Sequence, residues 1–128
     1  CNAESKLEAS WRLQKLAFEF PEMTFLALDS FWSYERSAET LHLAQHTPNV
    51  LWDCGGPLGF ASIERFVKEH GSEKFTYSGE AVYASQTLRG GGGRPRLMQQ
   101  ILEADITGKD KANILGGNAA RLFGKKTG

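Results

Sequence analysis

The sequence offers little from which to build a redox or metal centre by itself: it holds two cysteines and three histidines among 128 residues. Cys1 and Cys54 are far apart. They make neither a disulfide framework nor metal-ligand spacing, which fits a reducing compartment. Net charge is also missing, because 15 basic and 15 acidic side chains cancel. A neutral chain lacks the basic field from which nucleic-acid and anionic-membrane binders gain counterion-release or surface energy, so neither partner is expected. No apolar run approaches the roughly 18 residues of a membrane-spanning helix, and the first residues lack the charged-then-apolar order of a secretory signal. The expectation is a soluble, cytoplasmic protein. Cys1 stands where an initiator methionine would be expected, so the chain is expected to belong to a longer one.

What the chain does contain is enough for a packed core: 41% hydrophobic and 11% aromatic residues, too rich for a disordered tail. Its length suits one domain, residues 1–128. Over residues 4–19, Leu7, Trp11, Leu16 and Phe18 recur among charges at helical spacing, predicting an apolar face, and Pro21 ends the helix. The run 24–28 reads as a strand buried on both faces. A second helix is expected over 37–46, stopped by Pro48, then a strand over 50–52. A third helix over 60–69 carries Ile63, Phe66 and Val67 on one side, with Gly71 as a left-handed end cap, and a third strand covers 75–77.

The strand candidates begin near Thr24, Asn49 and Lys74, about one every 25 residues. A helix lies between each pair. Such alternation predicts an α/β fold of βαβ units with parallel strands, from a barrel or a doubly wound sheet. Further on, four consecutive glycines lie in the polar stretch 84–94, and Pro95 suits the first position of a helix reaching about Leu102. The end reads as a helical pair. Thr107 and Asp110 form a capping box, Gly116 and Gly117 stop that helix, and Asn118 caps a last one over 119–123.

In parallel α/β folds the ligand site lies beyond the carboxyl ends of the strands. The residues that follow the apolar runs are therefore the informative ones: Asp29 and Ser30; Asp53, Cys54, Gly55 and Gly56; Ser78, Gly79 and Glu80. Each strand is followed by a carboxylate. Three acids on one rim would bind a divalent cation or share a proton; the plainer reading is ordinary turn and cap chemistry. His42, His46 and His70 fall in or at the ends of helices, away from that rim. The i, i+4 pair His42 and His46 lacks the glutamate of an HExxH site and reads as a solvated helix face. Arg89 and Arg94 flank the glycine run ahead of a helix, which fits either a phosphate cradle or a flexible loop with solvated arginines. The cradle reading lacks a P-loop's lysine and serine. Cys54 reads as a small buried filler rather than a nucleophile.

The closing stretch 111–124, KANILGGNAARLFG, resembles the terminal signature of the amidohydrolase-related proteins, the metal-dependent hydrolases and decarboxylases typified by aminocarboxymuconate semialdehyde decarboxylase. Weaker likenesses stand in the right order. They are Phe20-Pro21 with the strand ending at Asp29, the stretch 48–53 (PNVLWD), and the stretch 74–83. The resemblance spans essentially the whole chain. It implies the C-terminal part of a (β/α)₈ barrel, a fold of about 250 residues, with three parallel strands alternating with helices and then a C-terminal helical pair.

By the same resemblance, Asp29 stands where the family usually has a metal-binding histidine, and Glu80 where it has the aspartate that binds metal and handles the proton of the attacking water. Both residues depart from the family's pattern. The implied cofactor is a divalent metal ion, Zn, Mn or Mg, with a hard oxygen at position 29 favouring Mn or Mg over Zn or the loss of the metal. Glu80 is the implied catalytic residue, Asp29 and Glu80 are the implied metal ligands, and Arg89 and Arg94 would hold a carboxylate of a small-molecule substrate. The alternative is a non-catalytic barrel relative that has lost its metal ligands and binds a small molecule or a protein. Taken alone, an open three-stranded piece exposes strand edges and is expected to be inactive and to self-associate.

Overall fold

The computed structural model describes residues 10–28, 30–31, 34–54, 59–78 and 96–124. It is a mixed helix and strand structure around a three-stranded parallel sheet. Helix α1 (Ser10–Glu19) leads into strand β1 (Phe25–Ala27), and α2 (Tyr34–Ala44) leads into β2 (Val50–Asp53). Helix α3 (Gly59–His70) passes through a single 3₁₀ turn (Ser72–Lys74) into β3 (Phe75–Thr76). Helix α4 (Arg96–Glu103) follows. Helix α5 (Gly108–Ala112), a wide turn over Asn113–Gly117 and α6 (Asn118–Leu122) end the described chain. The strands begin at Phe25, Val50 and Phe75, one every 25 residues.

Strand order is β1-β2-β3, with Phe25 opposite Val50, Ala27 opposite Trp52, Trp52 opposite Phe75 and Asp53 opposite Thr76. Residues paired across a ladder share a face, and neighbours along a strand alternate. Phe25, Ala27, Val50, Trp52 and Phe75 therefore lie on one face, which carries the core with Phe31, Leu43, Ala44, Ile63, Phe66 and Val67. Phe31 meets Phe66 edge-on at 6.2 Å between ring centroids and Phe75 at 5.9 Å. Leu26, Leu51, Asp53 and Thr76 occupy the other face.

Several expectations are corrected. Strand β1 is not buried on both faces: Leu26 is 39% exposed and Leu28, just beyond the strand, is 66% exposed, because β1 is the outer strand of the described sheet and its second face is uncovered at that end. The apolar face expected of α1 is likewise on the outside. Trp11, Leu16 and Phe18 are exposed, while the helix packs through Ala17 and Leu13. The Asn49 side chain fixes that end of α1 by donating to the carbonyls of Ala17, Phe20 and Met23 at 3.1, 3.2 and 2.9 Å. Helix α2 begins at Tyr34 and ends at Ala44, before His46. Gly71 does adopt a positive φ of 79°, but with ψ at 166°. That region belongs to glycine alone and differs from the left-handed helical basin.

The C-terminal segment is latched to β3. Thr107 and Asp110 form the expected capping box. Asn118, by contrast, caps nothing with its side chain. Its buried amide reaches back to donate to the Ser72 and Phe75 carbonyls at 2.7 and 2.5 Å. Asn113 donates to the Ser72 hydroxyl at 2.9 Å, Arg121 bonds to the side-chain oxygens of both asparagines, and the Tyr77 N–H donates to the Ile114 carbonyl at 3.0 Å. Tertiary partners have taken the amide that a local cap would have used.

Two outcomes follow from this arrangement. Asn118→Ala removes a buried donor from both carbonyls, leaving that of Ser72 with the Phe75 N–H, and is expected to destabilise the fold by about 1–3 kcal/mol, read as a lower urea midpoint; an unchanged midpoint refutes the latch. The chain alone, with Leu26, Leu28, Trp11 and Phe18 exposed, is expected to self-associate in light scattering, and a monodisperse monomer contradicts this.

Candidate functional site at the carboxyl ends of the strands

Position and chemistry coincide at the end of β2. Asp53 is its last residue and lies opposite Thr76, on the face away from the aromatic core. The carboxylate is only 3% exposed and Thr76 only 7%. Ionised carboxylates are seldom buried without partners, and the Ser78 hydroxyl donates to Asp53 Oδ2 at 2.9 Å. This bond crosses from the end of β3 to the end of β2. It depends on the parallel pairing, since Ser78 reaches Asp53 only because Thr76 is in register with it.

The next residue, Cys54, is completely buried in the core, and its N–H continues the ladder by donating to the Thr76 carbonyl at 2.8 Å. Burial first, and then the charge of Asp53, push its thiol well above its ordinary pKa. The expected reading as an inert filler agrees with this: a thiol held neutral is a poor nucleophile. At the end of β1, Ser30 is buried, its hydroxyl donating to the Ala27 carbonyl at 2.9 Å while its own carbonyl accepts from Thr40 at 2.8 Å. The turn from β1 into α2 is thereby tied to both elements.

The four residues expected to carry the chemistry, Asp29, Glu80, Arg89 and Arg94, lie outside the described residues. So do the glycine run and Pro95. Among the described residues, no group of three or more histidine, cysteine, aspartate or glutamate side chains is arranged to hold a metal. The polar side chains described at the rim, Asp53, Thr76 and Ser78, all carry oxygen. The histidines lie elsewhere, as expected: His42 in α2, His46 in the turn after it, and His70 at the end of α3, where its ring packs edge-on against Phe66 at 4.8 Å. The sequence placed Ser78 at a strand end without linking it to Asp53. Only the ladder register joins two residues 25 positions apart.

No described helix is long and apolar enough to cross a membrane. Comparison of the chain with protein-family models, curated proteins and solved structures finds no match.

Folding raises the Cys54 pKa, so above about pH 8.5 the unfolded chain releases the thiol proton first. The stability this group contributes is complete below that pH and falls as pH rises through it. At pH 8.5 the Cys54 peptide is expected to resist alkylation in native protein and to be modified in denaturant, as read by peptide mapping; ready labelling of native Cys54 contradicts the burial.

Proposed function

We propose that the chain forms the last three βα units of an amidohydrolase-related (β/α)₈ barrel, whose parent hydrolyses or decarboxylates a small carboxylate-bearing substrate. One observation carries the reading: the strands run in the consecutive order β1-β2-β3 with the aromatic core on one face and the buried Asp53 carboxylate on the other, at the carboxyl rim. Right-handed crossovers between consecutive neighbouring strands put their helices on the same face. A doubly wound sheet instead needs a reversal of strand order to cover both faces. Consecutive order is shared by a barrel and by one half of a doubly wound sheet; in the barrel the second face lines the interior and active residues sit at the carboxyl ends. The terminal segment 111–124 adds the sequence resemblance.

In this reading Asp29 and Glu80 would hold a divalent ion, the hard oxygen at position 29 favouring Mn or Mg over Zn. When bound, the ion supplies Lewis acidity that lowers the pKa of water or polarises a carbonyl. The chain's own residues do the rest. Glu80 accepts the proton of the attacking water and returns it to the leaving group. Arg89 and Arg94 clamp a substrate carboxylate through paired N–H donors and so orient the scissile bond. Asp53, fixed by Ser78, contributes a charge that does not reorganise during the reaction.

A second reading is a barrel relative that binds a ligand without turning it over, favoured by Asp29 and Glu80 in place of the family's histidine and aspartate. Metal content of the parent protein separates the two, stoichiometric divalent metal supporting the enzyme and its absence the binder. In the parent enzyme, Glu80→Gln is expected to lower kcat by about 10²–10⁴-fold with an unchanged circular dichroism spectrum. Retained turnover overturns the role of Glu80.

A further inference from the structure

Helix α2 ends in a pair of imidazoles that the rim does not use. His42 lies in the last turn of the helix and His46 in the turn after it, both exposed. Their ring centroids are 5.5 Å apart and their planes meet at 65°. A zinc–nitrogen bond is about 2.1 Å, so two imidazoles on one tetrahedral ion bring their ring centres to about 5.2 Å. The observed separation is already within a few tenths of an ångström of that value. We propose that His42 and His46 form a two-imidazole surface chelate for a borderline divalent transition metal ion such as zinc, with water completing the coordination.

The backbone under the pair is held before any ion arrives. The His46 N–H donates to the Leu43 carbonyl at 2.9 Å, the buried Thr47 hydroxyl donates to the same carbonyl at 2.9 Å, and the Lys74 ammonium donates to the Ala44 carbonyl at 2.9 Å. A fixed turn leaves only side-chain torsions to be ordered on binding, which keeps the entropic cost small. Imidazole nitrogens select Zn, Cu and Ni, whereas oxygen donors suit Mg and Mn. Topology separates the two places as well: the end of α2 leads to the start of β2, so the histidines sit at the opposite end of the sheet from Asp53.

Equilibrium dialysis of the folded chain against zinc alone tests the site. One saturable equivalent is expected, weakened about tenfold or more by His42→Gln and equally by His46→Gln. Asp29→Asn and Glu80→Gln leave it intact, which distinguishes this site from one at the rim. In unsubstituted protein, zinc is expected to shift the ring C–H resonances of His42 and His46 and not those of His70. Unchanged zinc affinity in both glutamine variants, no saturable binding below about 1 mM, or equal shifts at His70 overturns the proposal.

Discussion

The pairing of β2 on both sides is the constraint on which the remaining structure depends. Only β2 has neighbours on each edge among the described strands, and its four residues hand their side chains alternately to two environments. Val50 and Trp52 go to the helix-covered core, and Asp53 to the opposite face. A shift of one residue in register would exchange them, sending a carboxylate into an aromatic cluster and Trp52 out of it. Hydrophobic burial of Trp52 therefore fixes where the Asp53 charge stands. The Ser78 hydroxyl then meets that charge because the same register sets β3 against β2.

The C-terminal segment stabilises this sheet from its far side. β3 has only two residues in its ladder, too few to hold an edge strand firmly by themselves. Asn113 and Asn118 supply what the short ladder lacks, occupying the Ser72 and Phe75 carbonyls and the Ser72 hydroxyl with buried donors, while Arg121 holds the two asparagine side-chain oxygens. Buried polar networks of this kind define one geometry because each unmet partner is costly. The asparagines that gave the terminal stretch its distinctive sequence thus have a structural task, whatever the chemistry at the rim.

Periodicity made the element order readable. The second and third strands start at their expected residues and the first one residue later, because short apolar runs bounded by Pro, Asn and Gly leave few other places for a strand. Burial was harder to read. Trp11 and Phe18 look like a core face by spacing, yet the face that packs is that of Leu13 and Ala17; a helical pattern shows that a stripe is apolar and cannot show what covers it. Asn118 failed for a related reason. A local cap and a partner 43 residues away compete for one amide, and only the second depends on the tertiary fold. At the rim, Asp53 was legible as a strand-end acid, while its bond to Ser78 required the register.

The molecule's two ends differ in the chemistry they can support, and the difference follows from chain direction. In a βα unit the strand's carboxyl end faces the start of the next helix, and the helix's carbonyl end leads to the start of the next strand. Side chains just past a strand are therefore held by the ladder behind them, as Asp53 and Ser78 are. Side chains at a helix's end are held by capping instead, as the turn around His46 is by Thr47 and Lys74. Ladder positions tolerate little displacement, because moving one strand disturbs its neighbours and the core beneath. The exposed side chains of His42 and His46 carry no such load. In the functions proposed for this chain, oxygen chemistry that needs fixed charges accordingly goes with the strand ends, and a hydrated ion that tolerates adjustment goes with the histidine turn.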